Sequence, residues 1–196
     1  MSTLSQRRRP AGPSAGAVRG SAGGIGRSSS PEAEAVSDAM RRGATRNLAR
    51  RRRTAALALA AISSFVPVAA YQTGLLRHLP DPPLPGLDSD AVDASGEAYH
   101  LLLTSDAALG IGSYAVTLAL AGMGADDRAQ EKPWLPIALA AKVGLDAAGA
   151  LYLTAEQLTK HRRVCTYCTA ASLVTLAMIP QVLPEARAAW RSWRGR

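Results

Sequence analysis

The sequence predicts an all-α integral membrane protein, a four-helix bundle with a disordered basic N-terminal tail. Four apolar segments follow one another between residues 54 and 183, and each is close to the roughly 20 residues that a helix needs to cross a bilayer. The basic charge precedes them: residues 1–53 contain twelve Arg and three acidic residues, whereas residues 54–196 contain eleven Lys or Arg and twelve acidic residues. The mean hydropathy of +0.00 therefore averages a polar tail with an apolar body.

The tail, residues 1–53, is rich in Gly, Ser, Ala and Arg and has few large apolar side chains. Such a segment buries too little surface to offset the entropy of ordering it, so we expect disorder. Its arginines, four of them directly before the first apolar segment, predict a cytoplasmic N-terminus and contact with the anionic lipid of the bilayer. Nucleic acid is a disfavoured partner, because no aromatic residues are interleaved with the arginines.

The four predicted spanning helices occupy residues 54–76, 107–125, 134–155 and 164–183, within a membrane domain of residues 54–185. An even number of crossings returns the chain to the cytoplasm, where residues 186–196 form a basic C-terminal tail. The connection at residues 78–103 is then external, and it contains five acidic residues and no Lys or Arg. The Ala- and Arg-rich composition is typical of bacteria with GC-rich coding, which places this multi-pass protein in the cell inner membrane.

The two cysteines of the chain, Cys165 and Cys168, begin the fourth apolar segment. A spacing of three residues places both on one face of a helix, within reach of a disulfide after a small adjustment. The helix N-terminus, together with Arg162 and Arg163, is expected to lower the pKa of Cys165, which we place at the interface within reach of water. Cys168 is predicted one turn deeper. The alternative is a pair of inert buried thiols.

Three other polar residues of the predicted bundle are candidates for function. Lys142 and Asp146 lie four residues apart on the third segment, so they form either a polar site near a quinone or proton path or a self-neutralised pair. Tyr167 is either a hydrogen-bond donor to a bound carrier or an interfacial anchor. No metal site is predicted, because zinc usually needs four Cys or His ligands and only His161 lies near the cysteines.

Three stretches resemble one family when they are taken together, in this order and at this spacing. They are Thr104-Ser-Asp-Ala-Ala-Leu-Gly-Ile-Gly-Ser-Tyr114, Leu151-Tyr-Leu-Thr154 and Val164-Cys-Thr-Tyr-Cys-Thr169. They resemble the vitamin K epoxide reductase family over about residues 54–185. The resemblance implies a four-helix membrane bundle that holds a quinone, of the ubiquinone or menaquinone type, beside the cysteine pair. By position, Cys168 would contact the quinone and Cys165 would exchange with the electron donor, and the carrier to which Tyr167 is a candidate hydrogen-bond donor would be this quinone.

The chain departs from this family in its first external loop, where members carry a second cysteine pair that relays electrons. Residues 88–95 occupy that place and read Asp-Ser-Asp-Ala-Val-Asp-Ala-Ser. The first hypothesis is a membrane thiol–disulfide oxidoreductase that takes electrons directly from a thioredoxin-like protein or a small thiol. These electrons would pass through Cys165 and Cys168 to the quinone. The alternative is a non-catalytic membrane protein of the same fold that acts as a binding or structural subunit.

Overall fold

The computed structural model describes residues 30–99 and 102–195, and this part of the chain is predominantly helical and contains no strand. Two helices come first along the chain. Helix α1, Pro31–Arg42, begins with Pro and places Glu32 and Glu34 in its first turn and Arg41 in its last, an order that suits the helix dipole. Helix α2, Arg46–Gln72, begins after Thr45, whose side chain accepts a hydrogen bond from the amide of residue 48.

The predicted tail differs from the structure over its second half. Residues 1–29 lie outside the described residues, but residues 31–42 and 46–53, which we expect from composition to be disordered, are helical. Arginine and alanine are good helix formers. In addition, Arg51 is only 2% exposed, because its guanidinium finds partners at the end of another helix. Composition alone does not show that an arginine is buried.

The bundle consists of α2 with α4 (Asp106–Gly122), α6 (Trp134–Glu156) and α7 (Thr166–Arg194). Helix α2 packs against α4 and α7, and α6 packs against α7. A short helix, α5 (Arg128–Glu131), joins α4 to α6. Alanines of α2 and α4 allow these helices to approach closely. The buried core between the helices contains Ala58, Ala61, Tyr114, Ala121, Leu139, Val143, Met178 and Val182.

Three of these helices are long and apolar enough to cross a membrane: Arg46–Gln72, Trp134–His161 and Thr166–Arg194. At most 22% of the most apolar stretch of each is buried inside the protein. A bilayer is the environment that covers such outward apolar surface, so the chain is a membrane protein. Helix α4 is shorter, with 17 residues, or about 25 Å at 1.5 Å per residue.

The C-terminal end of the chain is helical. The sequence predicts a basic tail from residue 186, and α7 continues without interruption through this segment as far as Arg194. Residues 185–194 are rich in Ala and Arg, and these residues favour a helix. Trp190 and Trp193 lie on this extension with their rings edge to face, 6.0 Å between centroids.

The long connection after α2 folds into a compact structure, which we call the cap (residues 78–99). It contains α3 (Ser89–Asp93) and a 3-10 turn (Gly96–Tyr99). The cap is joined to the chain just before α7 by backbone hydrogen bonds. The Val164 amide donates to the Gly86 carbonyl at 2.9 Å, and the Asp88 amide donates to the Val164 carbonyl at 3.2 Å. The cap therefore covers the beginning of α7, where the cysteines lie.

Candidate thiol site

Cys165 is the N-cap residue of α7 and is fully buried, with 0% exposure. Its sulfur accepts a hydrogen bond from the Cys168 amide at 3.2 Å, so a sulfur occupies the place that a Ser or Asp oxygen usually has at a helix start. The Cys165 amide in turn donates to Gln157 Oε1 at 3.0 Å. Gln157 begins the π-helical turn Gln157–His161, which brings the chain out of α6 towards the cap. Both sides of Cys165 are thus fixed by hydrogen bonds.

Asp81 of the cap holds the first turn of α7 in place. Its Oδ1 accepts hydrogen bonds from Thr166 Oγ1 at 2.6 Å and from Ser89 Oγ at 2.7 Å, and its Oδ2 accepts one from the Ser89 amide at 2.6 Å. Ser89 Oγ also accepts from the Thr166 amide at 3.1 Å. Burial alone would raise the pKa of Asp81, but the hydrogen bonds from Thr166 and Ser89 outweigh it and keep this pKa below its ordinary value.

Asp93, the last residue of α3, places a carboxyl group beside both thiols. It is 2% exposed. Its Oδ1 lies 3.7 Å from Cys168 Sγ. Its buried Oδ2 has no hydrogen-bond partner among the described residues. A carboxyl oxygen of Asp93 and the sulfurs of Cys165 and Cys168 all lie within 4.8 Å of one another.

The pKa values of Asp93 and Cys165 are shifted in opposite directions. Burial, followed by the nearby Cys165 sulfur, raises the pKa of Asp93 to about 9. The hydrogen bond from the Cys168 side chain lowers the pKa of Cys165 to about 6, against the opposing effect of burial and with further help from Asp93. These opposite pKa shifts favour a reduced cluster in which Cys165 carries the negative charge and Asp93 holds a proton.

The structure corrects two of our expectations about the thiols. Cys165 does not lie where water reaches it but is fully buried, whereas Cys168 is partly exposed. Arg162 and Arg163 are exposed, and the largest cause of the lowered pKa of Cys165 is the hydrogen bond from Cys168. Tyr167, for which the sequence leaves two roles open, donates its hydroxyl to the Pro80 carbonyl at 2.9 Å and so holds the cap.

The same three groups are possible ligands of a metal ion, since a carboxylate and two thiolates can each supply one ligand atom. Structural zinc sites usually have four protein ligands. No fourth Cys, His, Asp or Glu joins this cluster within the part of the chain that the structure describes. We therefore interpret the cluster in terms of thiol and acid chemistry.

A second polar cluster lies inside the bundle, between α4 and α6. Lys142 Nζ lies 2.6 Å from both oxygens of Asp146 and also donates to Ser113 Oγ at 2.6 Å. Ser113 Oγ donates to Asp146 Oδ1 at 3.0 Å, and Thr117 completes the group. The two charges are thus neutralised locally, as one of the two interpretations of the sequence expects. Nothing in the sequence indicates Ser113, because its pairing depends on how α4 packs against α6.

A membrane-embedded helical bundle with a cysteine pair at the start of one helix has the architecture of a membrane thiol oxidoreductase. The chain matches the Vitamin K epoxide reductase family over residues 52–183, and it belongs to that family. The resemblance seen in the sequence is thereby confirmed. Members of the family generally work with quinones and thiol donors. Comparison with curated proteins gives no match.

Proposed function

We propose that this protein passes two electrons from a thiol donor, through Cys165 and Cys168, to a quinone in the membrane. The observation that carries the proposal is the Cys165 sulfur at the N-terminus of α7, with the Cys168 amide bound to it at 3.2 Å and the Cys168 thiol beside it. A thiolate is the reactive form of cysteine, and this arrangement stabilises it near neutral pH. The family's general activity supports the same conclusion.

The difference in exposure between the two cysteines supports different partners for them. Cys168 is partly exposed on the first turn of α7, whereas Cys165 is fully enclosed. A buried apolar cluster of Val68, Leu79 and Ala107 lies next to this turn, and Tyr167 packs against it. An apolar surround with an accessible sulfur suits a quinone ring, whether of the ubiquinone or the menaquinone type. Cys168 is then the sulfur that contacts the carrier, and the Tyr167 ring borders it.

In this structure the cap is closed over Cys165, the cysteine with which the electron donor would exchange. Cys165 is enclosed by the cap and by Gln157, so thiol exchange at its sulfur requires the cap to move. The chain contains no other cysteine that could relay electrons. The donor is therefore a small thiol or a thioredoxin-like protein that acts on the pair itself, and exchange proceeds by thiolate attack on the Cys165–Cys168 disulfide.

The charge distribution supports an orientation for this activity. Arginines at the start of α2 and at the end of α7 lie at one end of the bundle, and the acidic cap lies at the other. Positive residues near helix ends favour the cytoplasm. We therefore place both termini in the cytoplasm and the cap outside a bacterial inner membrane, with α4 as the shortest of four crossings.

The test is quinone reduction by the purified protein in lipid vesicles, with dithiothreitol as donor and both quinone types offered. Cys168→Ser should abolish turnover, because it removes the sulfur that contacts the carrier. Ser64→Ala is the control, since it changes one small polar side chain on another helix of the bundle. The Ser64 hydroxyl donates to the Ala60 carbonyl at 3.1 Å within α2, and this variant should turn over at the wild-type rate.

Cys165→Ser should also stop turnover, because no disulfide can form, and it should leave quinone binding intact. If wild-type protein keeps both cysteines in one redox state whatever thiol or quinone is supplied, the proposal is wrong. That result would favour the alternative, a binding or structural subunit that retains the fold, and the missing loop cysteines would then mark the loss of the reaction.

A further inference from the structure

Asp93 is the one group of the thiol site whose role the exchange of electrons does not explain. It comes from the cap, 75 residues before Cys168 in the sequence, and its carboxyl group reaches both thiols. It is 2% exposed, and one of its oxygens has no hydrogen-bond partner among the described residues. A buried carboxylate in this position costs free energy, whereas a carboxylic acid keeps its proton and can donate a hydrogen bond to the Cys165 thiolate.

We propose that Asp93 is the proton carrier of the thiol pair: it holds a proton while Cys165 and Cys168 are reduced and releases it when they form a disulfide. The identity of the electron acceptor in this inference rests on the proposed function, but the proton transfer itself belongs to the cysteine pair.

The atoms and electrons balance. The reduced cluster contains a Cys165 thiolate, a Cys168 thiol and an Asp93 carboxylic acid. On oxidation the two sulfurs bond to each other and lose two electrons, Cys168 loses its proton, and Asp93 loses its own. Two electrons and two protons convert a quinone to its hydroquinone, and the single negative charge moves from Cys165 to Asp93.

Two physical effects favour release of the Asp93 proton on oxidation. The thiolate charge that disfavours a second negative charge nearby disappears, and so does the hydrogen-bond acceptor that the acid proton uses. Reduction reverses both effects. The carboxyl group thereby keeps the net charge of a buried site constant through the cycle, which avoids the cost of changing it in a medium of low dielectric.

The other titratable groups around the thiol pair are either exposed or hydrogen-bonded to other residues. Arg162 and Arg163 are exposed on the preceding turn. Asp93 differs from the other acids because one of its oxygens is buried without a partner among the described residues. Four other titratable groups on the elements packed against the pair have a polar partner: Asp106 with Gln72, Tyr114 with Thr175, Asp81 with Ser89 and Thr166, and Tyr167 with the Pro80 carbonyl.

The experiment counts protons in the thiol–disulfide equilibrium of the full chain. The purified protein is equilibrated with dithiothreitol mixtures between about pH 7 and 8.5, and the equilibrium constant is corrected for the protons of the reference dithiol. In wild-type protein two protons accompany two electrons, so the constant should change about 100-fold per pH unit. In Asp93→Asn only the Cys168 proton remains, and the change should fall to about tenfold per pH unit.

Asp88→Asn is the matched control, because it removes a charge from the N-cap of the same short helix and leaves a residue that caps it equally well. This variant should keep the wild-type slope. A second measurement needs no variant to fold: the infrared difference spectrum of wild-type protein should show the loss of a carboxylic acid band on oxidation. A tenfold slope in wild-type protein, a 100-fold slope retained in Asp93→Asn, or a difference spectrum without that loss overturns the inference.

This outcome is separable from the proposed function, since no quinone enters the measurement. A wild-type protein with a two-proton slope that Asp93→Asn lowers to one proton, but with no quinone reduction, would contradict the proposed function and retain Asp93 as the proton carrier. A protein that reduces quinone with the one-proton slope would do the reverse.

Discussion

The two ends of the bundle bury charged groups in opposite ways. At the end away from the cap, Arg51 donates to four backbone carbonyls between residues 121 and 125, where α4 ends. Arg128 forms a two-pronged pair with Glu185, at 2.8 and 2.7 Å. Each guanidinium nitrogen there has a partner. At the cap end, Asp93 leaves one oxygen without a partner among the described residues. The first arrangement holds the helices together, and the second places an ionisable group beside reactive sulfurs.

The largest expected effect on stability comes from a substitution at the end of the bundle that holds Arg51 and Arg128. Arg128 and Glu185 are both almost fully buried, so Glu185→Gln leaves the guanidinium without its counter-charge. We expect this change to lower the free energy of unfolding by about 3 kcal/mol, since removing one member of a buried pair costs about 3–5 kcal/mol. The measurement is denaturation in mixed micelles.

The control is the same substitution in a pair nearer the surface. Glu156→Gln removes a charge that pairs with Lys160, whose side chain is 54% exposed, so water and salt screen the attraction and the stability should change little. Equal losses in the two variants would mean that the buried pair is not what holds α5 to α7.

A smaller effect is expected from loosening the cap. Asp81→Ala removes an acceptor of three hydrogen bonds, from Thr166 and twice from Ser89. Such bonds are worth about 0.5–1.5 kcal/mol each, so the cap should open more often and alkylation of Cys165 should accelerate about tenfold. The rate is measured at mildly alkaline pH in a Cys168→Ser background, where Cys165 is the single thiol.

Asp81→Asn keeps one acceptor oxygen and should give an intermediate rate. If both variants react at the rate of the parent, the cap does not limit access to Cys165, and the donor reaches it by another path.

The same contrast between the two ends explains what can be predicted from the sequence. The four predicted apolar segments form α2, α4, α6 and α7. They are predictable because an apolar run of about twenty residues by itself indicates a membrane helix. The extension of α2 is not predicted, because buried Arg51 looks in the sequence like any tail arginine. The cysteine pair is predicted because its members are neighbours. Asp93 is not, because only the folding of the cap brings it to Cys168.

The smallest expected effect concerns the basic turn before Cys165. Both arginines of this turn, Arg162 and Arg163, are exposed, and salt and water screen exposed charges. Replacing both by Gln should therefore change the alkylation rate of Cys165 at neutral pH by less than about threefold.

Replacing Cys168 should change this rate more, since its hydrogen bond is the largest cause of the lowered pKa of Cys165. Cys168→Ala should raise this pKa and slow alkylation at neutral pH, whereas Cys168→Ser keeps a donor and should slow it less. A loss of rate of about tenfold in the double Gln variant, with Cys168→Ala unchanged, would show that charge at the turn and not hydrogen bonding inside the site activates the thiol.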